Sequence, residues 1–189
     1  MKLTTLLTLA AIVTASQVAA QGKLTTDDIV DSLRGLDSTI EINAPALHQR
    51  ALARITQSPG GPVGRPSIAD ELNKLPQLTV EIQFHLDSAV IQPQSYKTLG
   101  RIADALWHPY LLEYRFLVVG HTDATGKREY NLKLSQRRAD AIREALTTTF
   151  RIPGRRVVAL GLGEEQLQDP ANPKAAVNRR VQLIAVGKL

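Results

Sequence analysis

The chain has 189 residues, no cysteine, a formal net charge of +5 and only 4% aromatic side chains. Without cysteine there is no disulfide framework, so stability has to come from a buried core, which a chain of this length can supply. The mild basicity suits an acidic polymer as partner, but so few aromatic rings argue against a base-stacking platform, and nucleic acid is not expected.

The chain opens with "MKLTTLLTLAAIVTASQVAA". Lys2, an apolar run from Leu6 to Val13 and the small residues Ala19 and Ala20 make a secretory signal over 1–20. That run is short and threonine-rich for a membrane span, and no later stretch is long and apolar enough for one. The expectation is an exported chain whose mature part has no transmembrane segment. Residues 21–57 follow as an N-terminal helical segment. Thr25 or Thr26 can cap a first helix, with Asp27 and Asp28 in its first turn and Ile29, Leu33 and Leu36 on one face. A second helix covers Ala44 to Ile55. "SPGGPVGRP", Ser58 to Pro66, has three prolines and three glycines and opens a linker over 58–76 that includes one short helix.

From residue 77 the periodicity changes. "LTVEIQFHL", Leu78 to Leu86, alternates apolar and polar and predicts a half-buried strand carrying Val80, Ile82, Phe84 and Leu86 on one face. Pro93 opens a helix with Leu99, Ile102, Ala103 and Leu106 as its buried stripe, ended by Pro109. Tyr114 to Gly120 is an apolar strand, Lys127 to Thr148 a long helix, and "RRVVALGLG" and "RRVQLIAVG" are two more strands. Residues 77–189 therefore read as one α/β unit, a mixed sheet with two covering helices and at least one parallel strand pair.

Asp123 lies where the second strand ends, flanked by Thr122 and Thr125, and ligands gather at such strand ends. Asn131 and Arg138 are seven residues apart on the following helix and share a face. A carboxylate attracts an ammonium, and a guanidinium binds a carboxylate through paired hydrogen bonds, so the two together suit the zwitterionic centre of an amino acid. A plain Asp–Arg salt bridge fits the spacing equally well. His121 and Asp123 supply two metal ligands with no cluster to complete the set, so no metal is expected. Ser135 lacks the strand-to-helix elbow of a nucleophile, and "GLGEEQ" reads as a turn and not a nucleotide loop. Neither an enzymatic activity nor a cofactor is expected.

"GHTDATGKREYNLKLSQRRADAI", with "NRRVQL" after it and "IQFHLDSAVI" before it, resembles the signature of OmpA-like peptidoglycan-binding domains. The resemblance covers about Thr79 to Gly187. It implies a βαβαββ mixed sheet and a non-catalytic module of a Gram-negative cell envelope that grips the meso-diaminopimelate of the peptidoglycan stem peptide. On that resemblance Asp123 meets the ammonium and Arg138 the carboxylate. Asn131 braces the loop or touches the ligand, Leu134 lines or underlies the pocket, Asp87 contributes through its backbone, and Thr122 and Arg179 support the site. Where the family often carries Phe, this chain has Leu86, which thins one pocket wall. The expected location is the periplasm, with outer-membrane association through a partner. The alternative is an envelope assembly factor that uses residues 21–57 to contact another protein, with the OmpA-like domain as scaffold.

Overall fold

The computed structural model describes residues 24–36, 42–61 and 69–189; the signal expected over 1–20 and most of the Pro/Gly-rich stretch lie outside them. Four helices and four strands follow in chain order: α1 (Thr26–Leu33), α2 (Ala44–Gln57), β1 (Gln77–Val80), α3 (Tyr96–Leu106), β2 (Tyr114–His121), α4 (Arg128–Glu144), β3 (Val157–Gly163) and β4 (Val181–Lys188). From β1 onward this is the expected βαβαββ order. The sheet runs β1-β4-β2-β3, with β4 antiparallel to both neighbours and β2 parallel to β3. The parallel pair needs a crossover, and α4 supplies it.

Local chemistry sets the helix starts. Thr25 forms a capping box with Asp28: its hydroxyl accepts from the Asp28 N–H at 3.2 Å, and the Asp28 carboxylate accepts from the Thr25 N–H at 2.9 Å. Asn43 caps α2 by accepting from the Ala46 N–H at 2.9 Å. Ile29, Val30 and Leu33 of α1 and Leu47, Ala51 and Ile55 of α2 are buried, at helical spacing. They belong to the same apolar core as Phe116, Leu117, Val119, Leu160 and Ile184 of the sheet. Helix α1 packs on α3 and β1, and α2 on β3 and α4.

Polar ties fasten the same joint. His48 Nδ1 lies 3.0 Å from the Gly161 carbonyl, and the Tyr114 hydroxyl donates to the Leu36 carbonyl at 3.0 Å. Arg128 makes two parallel 2.9 Å hydrogen bonds to the buried Glu165 and also reaches the Ser58 carbonyl at the end of α2.

Two expectations change. The first strand ends at Val80, not Leu86. Beyond it the chain folds into a hairpin loop, closed by the Phe84–Ile91 bridge and by the His85 N–H on the Val90 carbonyl at 3.0 Å. Asp87 sits at φ 53 in that loop, a left-handed turn that a continuing strand forbids. Leu86 is consequently 97% exposed instead of sharing a buried face. The alternation that suggested a longer strand survives only as Val80, Ile82 and Phe84. The second change is the short helix expected in the linker: it is a 3-10 turn, Asp70–Lys74, stopped by Pro76.

Candidate functional site

The approach of α4 to the sheet sets the site's geometry. A Cβ on Gly120 would stand 2.5 Å from the Ser135 carbonyl oxygen, and one on Gly161 would stand 2.2 Å from the Gln136 nitrogen. With hydrogens there instead, α4 lies directly on β2 and β3. Its first half is then held against the loop that carries Asp123. The Ser135 hydroxyl donates to the Leu132 carbonyl and accepts from the Gly163 N–H, both at 2.8 Å, so this buried serine joins helix to strand.

Asn131 is buried, and its side-chain N–H groups reach the carbonyls of Asp123 at 3.2 Å and Thr125 at 3.0 Å and the Glu164 carboxylate at 2.7 Å. These bonds brace the loop that carries Asp123. From the other side Asn178, fully buried, ties together the carbonyls of Asp169, Asn172 and Pro173. The Pro173 carbonyl in turn accepts from the Ala124 N–H at 2.9 Å. Asp123 is thus fixed between two asparagine-centred supports.

Asp123 is 8% exposed. One oxygen accepts from the Thr125 N–H at 2.9 Å, and the other from Arg179 Nη1 at 2.6 Å. Burial pushes its pKa up, but Arg179 and Thr125 outweigh that and hold it below the usual carboxylate value. Arg138 is anchored through Nε, which donates to the Ser88 carbonyl at 2.9 Å, and its guanidinium carbon stands 4.9 Å from the centre of the Phe84 ring. Among the described residues its Nη groups make no hydrogen bond. Burial lowers its pKa, an effect that Tyr130 and Asp87 oppose and the charges of Arg137 and Arg179 reinforce. Arg179 is bonded to Asp123, and its charge is also felt at Arg138.

The structure brings Asp123, Asn131 and Arg179 together and sets the Asp87–Ser88 turn against Arg138. Asp87 itself is exposed, and its carboxylate accepts from the Tyr130 hydroxyl. Leu134 is buried at 6% and stands outside the main apolar core. Thr122 is tied by its N–H to the Gly163 carbonyl at 3.0 Å, while its buried hydroxyl has no partner among the described residues. One correction follows from the hairpin. Leu86 projects into solvent instead of sharing a buried face; the aromatic surface under the arginine comes from Phe84, two residues earlier.

His121 hydrogen-bonds Gln182 at 2.6 Å and is buried beside Arg180. Among the described residues no group of three metal-ligating side chains gathers. Sequence reasoning missed Glu164, Tyr130, Phe84 and Asn178. The two glutamates of "GLGEEQ" were the available signal: adjacent carboxylates after an apolar strand call for internal partners, and Glu164 and Glu165 take them from the start of α4.

Comparison with known proteins gives a match to the OmpA family model over residues 83–180. The chain is 33% identical over 124 residues to outer membrane porin F of Pseudomonas aeruginosa, covering 63% of this chain and 33% of the porin. It is 38% identical over 85 residues to a peptidoglycan-associated lipoprotein of Brucella melitensis, covering 45% of this chain and 49% of the lipoprotein. It thus spans between a third and a half of the length of these relatives. The OmpA-like domain of FopA1 from Francisella tularensis shares the fold, with a TM-score of 0.50 at 16% identity over 60% of this chain and 75% of that one.

Proposed function

The chain belongs to the OmpA family, and from that premise we propose that it is a non-catalytic peptidoglycan-binding protein of the cell envelope, which grips the diaminopimelate of the stem peptide between Asp123 and Arg138. The side chain of meso-diaminopimelate ends in an ammonium and a carboxylate on one carbon. Asp123 receives the ammonium as a charged, nearly buried acceptor. Arg138 receives the carboxylate through its Nη edge, since only Nε is committed to the protein.

That guanidinium edge, stacked on Phe84 and left without a hydrogen bond among the described residues, carries the reading. A structural ion pair would spend both groups on each other, whereas here each is held by a different partner. Asn131 and Arg179 support the acid, Asp87 shapes the turn that anchors the base, and Leu134 and Thr122 underlie the pair. A location in the periplasm follows from the ligand. None of the described helices is long and apolar enough to cross a membrane.

Co-sedimentation with purified diaminopimelate-type sacculi tests the proposal. Asp123→Ala and Arg138→Ala should each weaken binding by about 2 kcal/mol, the scale of a hydrogen bond to a charged group. Full binding by the double variant would refute the site.

A further inference from the structure

We propose that Arg179 is an internal competitor: in the free protein its guanidinium stands where the ligand's ammonium is received, and ligand binding exchanges one cation for the other. This rests on the reading of Asp123 and Arg138 given above. The Asp123 carboxylate is almost closed off, with one oxygen on the Thr125 N–H and the other on Arg179 Nη1. A cation arriving from solvent has to approach the oxygen that Arg179 occupies. Two cations sharing one carboxylate oxygen repel each other, so the newcomer displaces Arg179 instead of joining it.

Arg179 is built to leave. Its side chain is 52% exposed against 11% for that of Asp123, and among the described residues this ion pair is its one side-chain attachment. The backbone on either side is fixed, by buried Asn178 before it and by the Arg180 carbonyl on the His121 N–H after it. The side chain can swing away without moving the site. Its departure also removes a like charge from the neighbourhood of Arg138, which then meets the ligand carboxylate unopposed.

The exchange has a use in the free protein. A half-exposed ion pair is worth little, so Arg179 keeps Asp123 charged and desolvated while yielding to a well-placed ammonium. A neutral, acylated amine forms no ion pair with Asp123 and gains nothing when Arg179 is removed.

The test is a calorimetric titration of a stem tripeptide ending in meso-diaminopimelate, and of the same peptide with its terminal amine acetylated, into wild type, Arg179→Gln and Asp123→Asn. The expected result is three- to ten-fold tighter binding of the free-amine peptide by Arg179→Gln, no gain for the acetylated peptide, and loss in Asp123→Asn. Binding by Arg179→Gln alone would support the exchange in its strongest form. Equal or weaker binding by Arg179→Gln, or an equal gain for both peptides, overturns the exchange. If wild type still binds better than Asp123→Asn in that case, the site itself stands. If neither wild type nor Arg179→Gln binds either peptide, the site reading and the exchange fall together.

Discussion

Asp123 and His121 are two residues apart and titrate in opposite settings. Asp123 is stabilised as an anion by Arg179 and Thr125, although burial works against it. His121 is fully buried, and burial, with the charge of Arg180 beside it, drives its pKa well below the ordinary histidine value, against the pull of its bond to Gln182. The folded protein therefore keeps His121 neutral where the unfolded chain takes up a proton. That difference costs nothing above about pH 6.5, and below it stability falls by up to about 1.4 kcal/mol per pH unit until the folded histidine also titrates. Urea unfolding at pH 7.5 and 5.5 measures it, and a His121→Gln variant should lose this part of the slope. At this scale the sequence named Asp123, Asn131 and Arg138 through spacing and resemblance, and Arg179 through resemblance alone, but not which group each one bonds. The partners of Arg138 and Asp123 lie 50 and 56 residues away, at Ser88 and Arg179, and no local pattern records such contacts.

Helix α4 and the 84–91 hairpin are the elements that make a site of those residues. Periodicity located α4 to within a residue at its start, because its buried positions Leu132, Ala139 and Ile142 alternate with solvated ones. It did not reveal how close α4 comes to the sheet, which depends on Gly120 and Gly161 lying opposite each other in the β2–β3 register. A methyl at Gly161 would meet the helix backbone, which cannot move aside as a flexible side chain would. Gly161→Ala should cost about 1–3 kcal/mol of stability, and binding should weaken as well because α4 carries Asn131 and Arg138. Thermal unfolding and sacculus binding measured on the same sample check both effects. The hairpin was misread as strand because alternation alone cannot show where the chain turns back. Asp87 in a left-handed conformation marks that place, and an aspartate tolerates it better than most residues do.

At the scale of the molecule, the N-terminal helices are part of the body that carries the site. The sequence treats residues 21–57 as a segment of its own, since a Pro/Gly-rich stretch separates it from the sheet. Its apolar stripes are legible; their destination is not, because any apolar surface satisfies an amphipathic helix. Here they cover the sheet and α3, and Arg128, Glu165 and His48 add polar links. A protein partner of this segment would meet the polar faces of α1 and α2. Leu33 is fully buried, so Leu33→Ala should destabilise the whole protein by about 2–5 kcal/mol in urea unfolding, whereas a detachable arm would leave the transition unchanged.

In the proposed clamp a single site reads an ammonium and a carboxylate on the same carbon. The direct measurement is calorimetric binding of two stem tripeptides, one ending in meso-diaminopimelate and one in lysine, which keeps the amine and lacks the second carboxylate. The clamp predicts at least about tenfold weaker binding of the lysine peptide, with that difference abolished in Arg138→Ala. Equal affinity of the wild-type protein for the two peptides would contradict it.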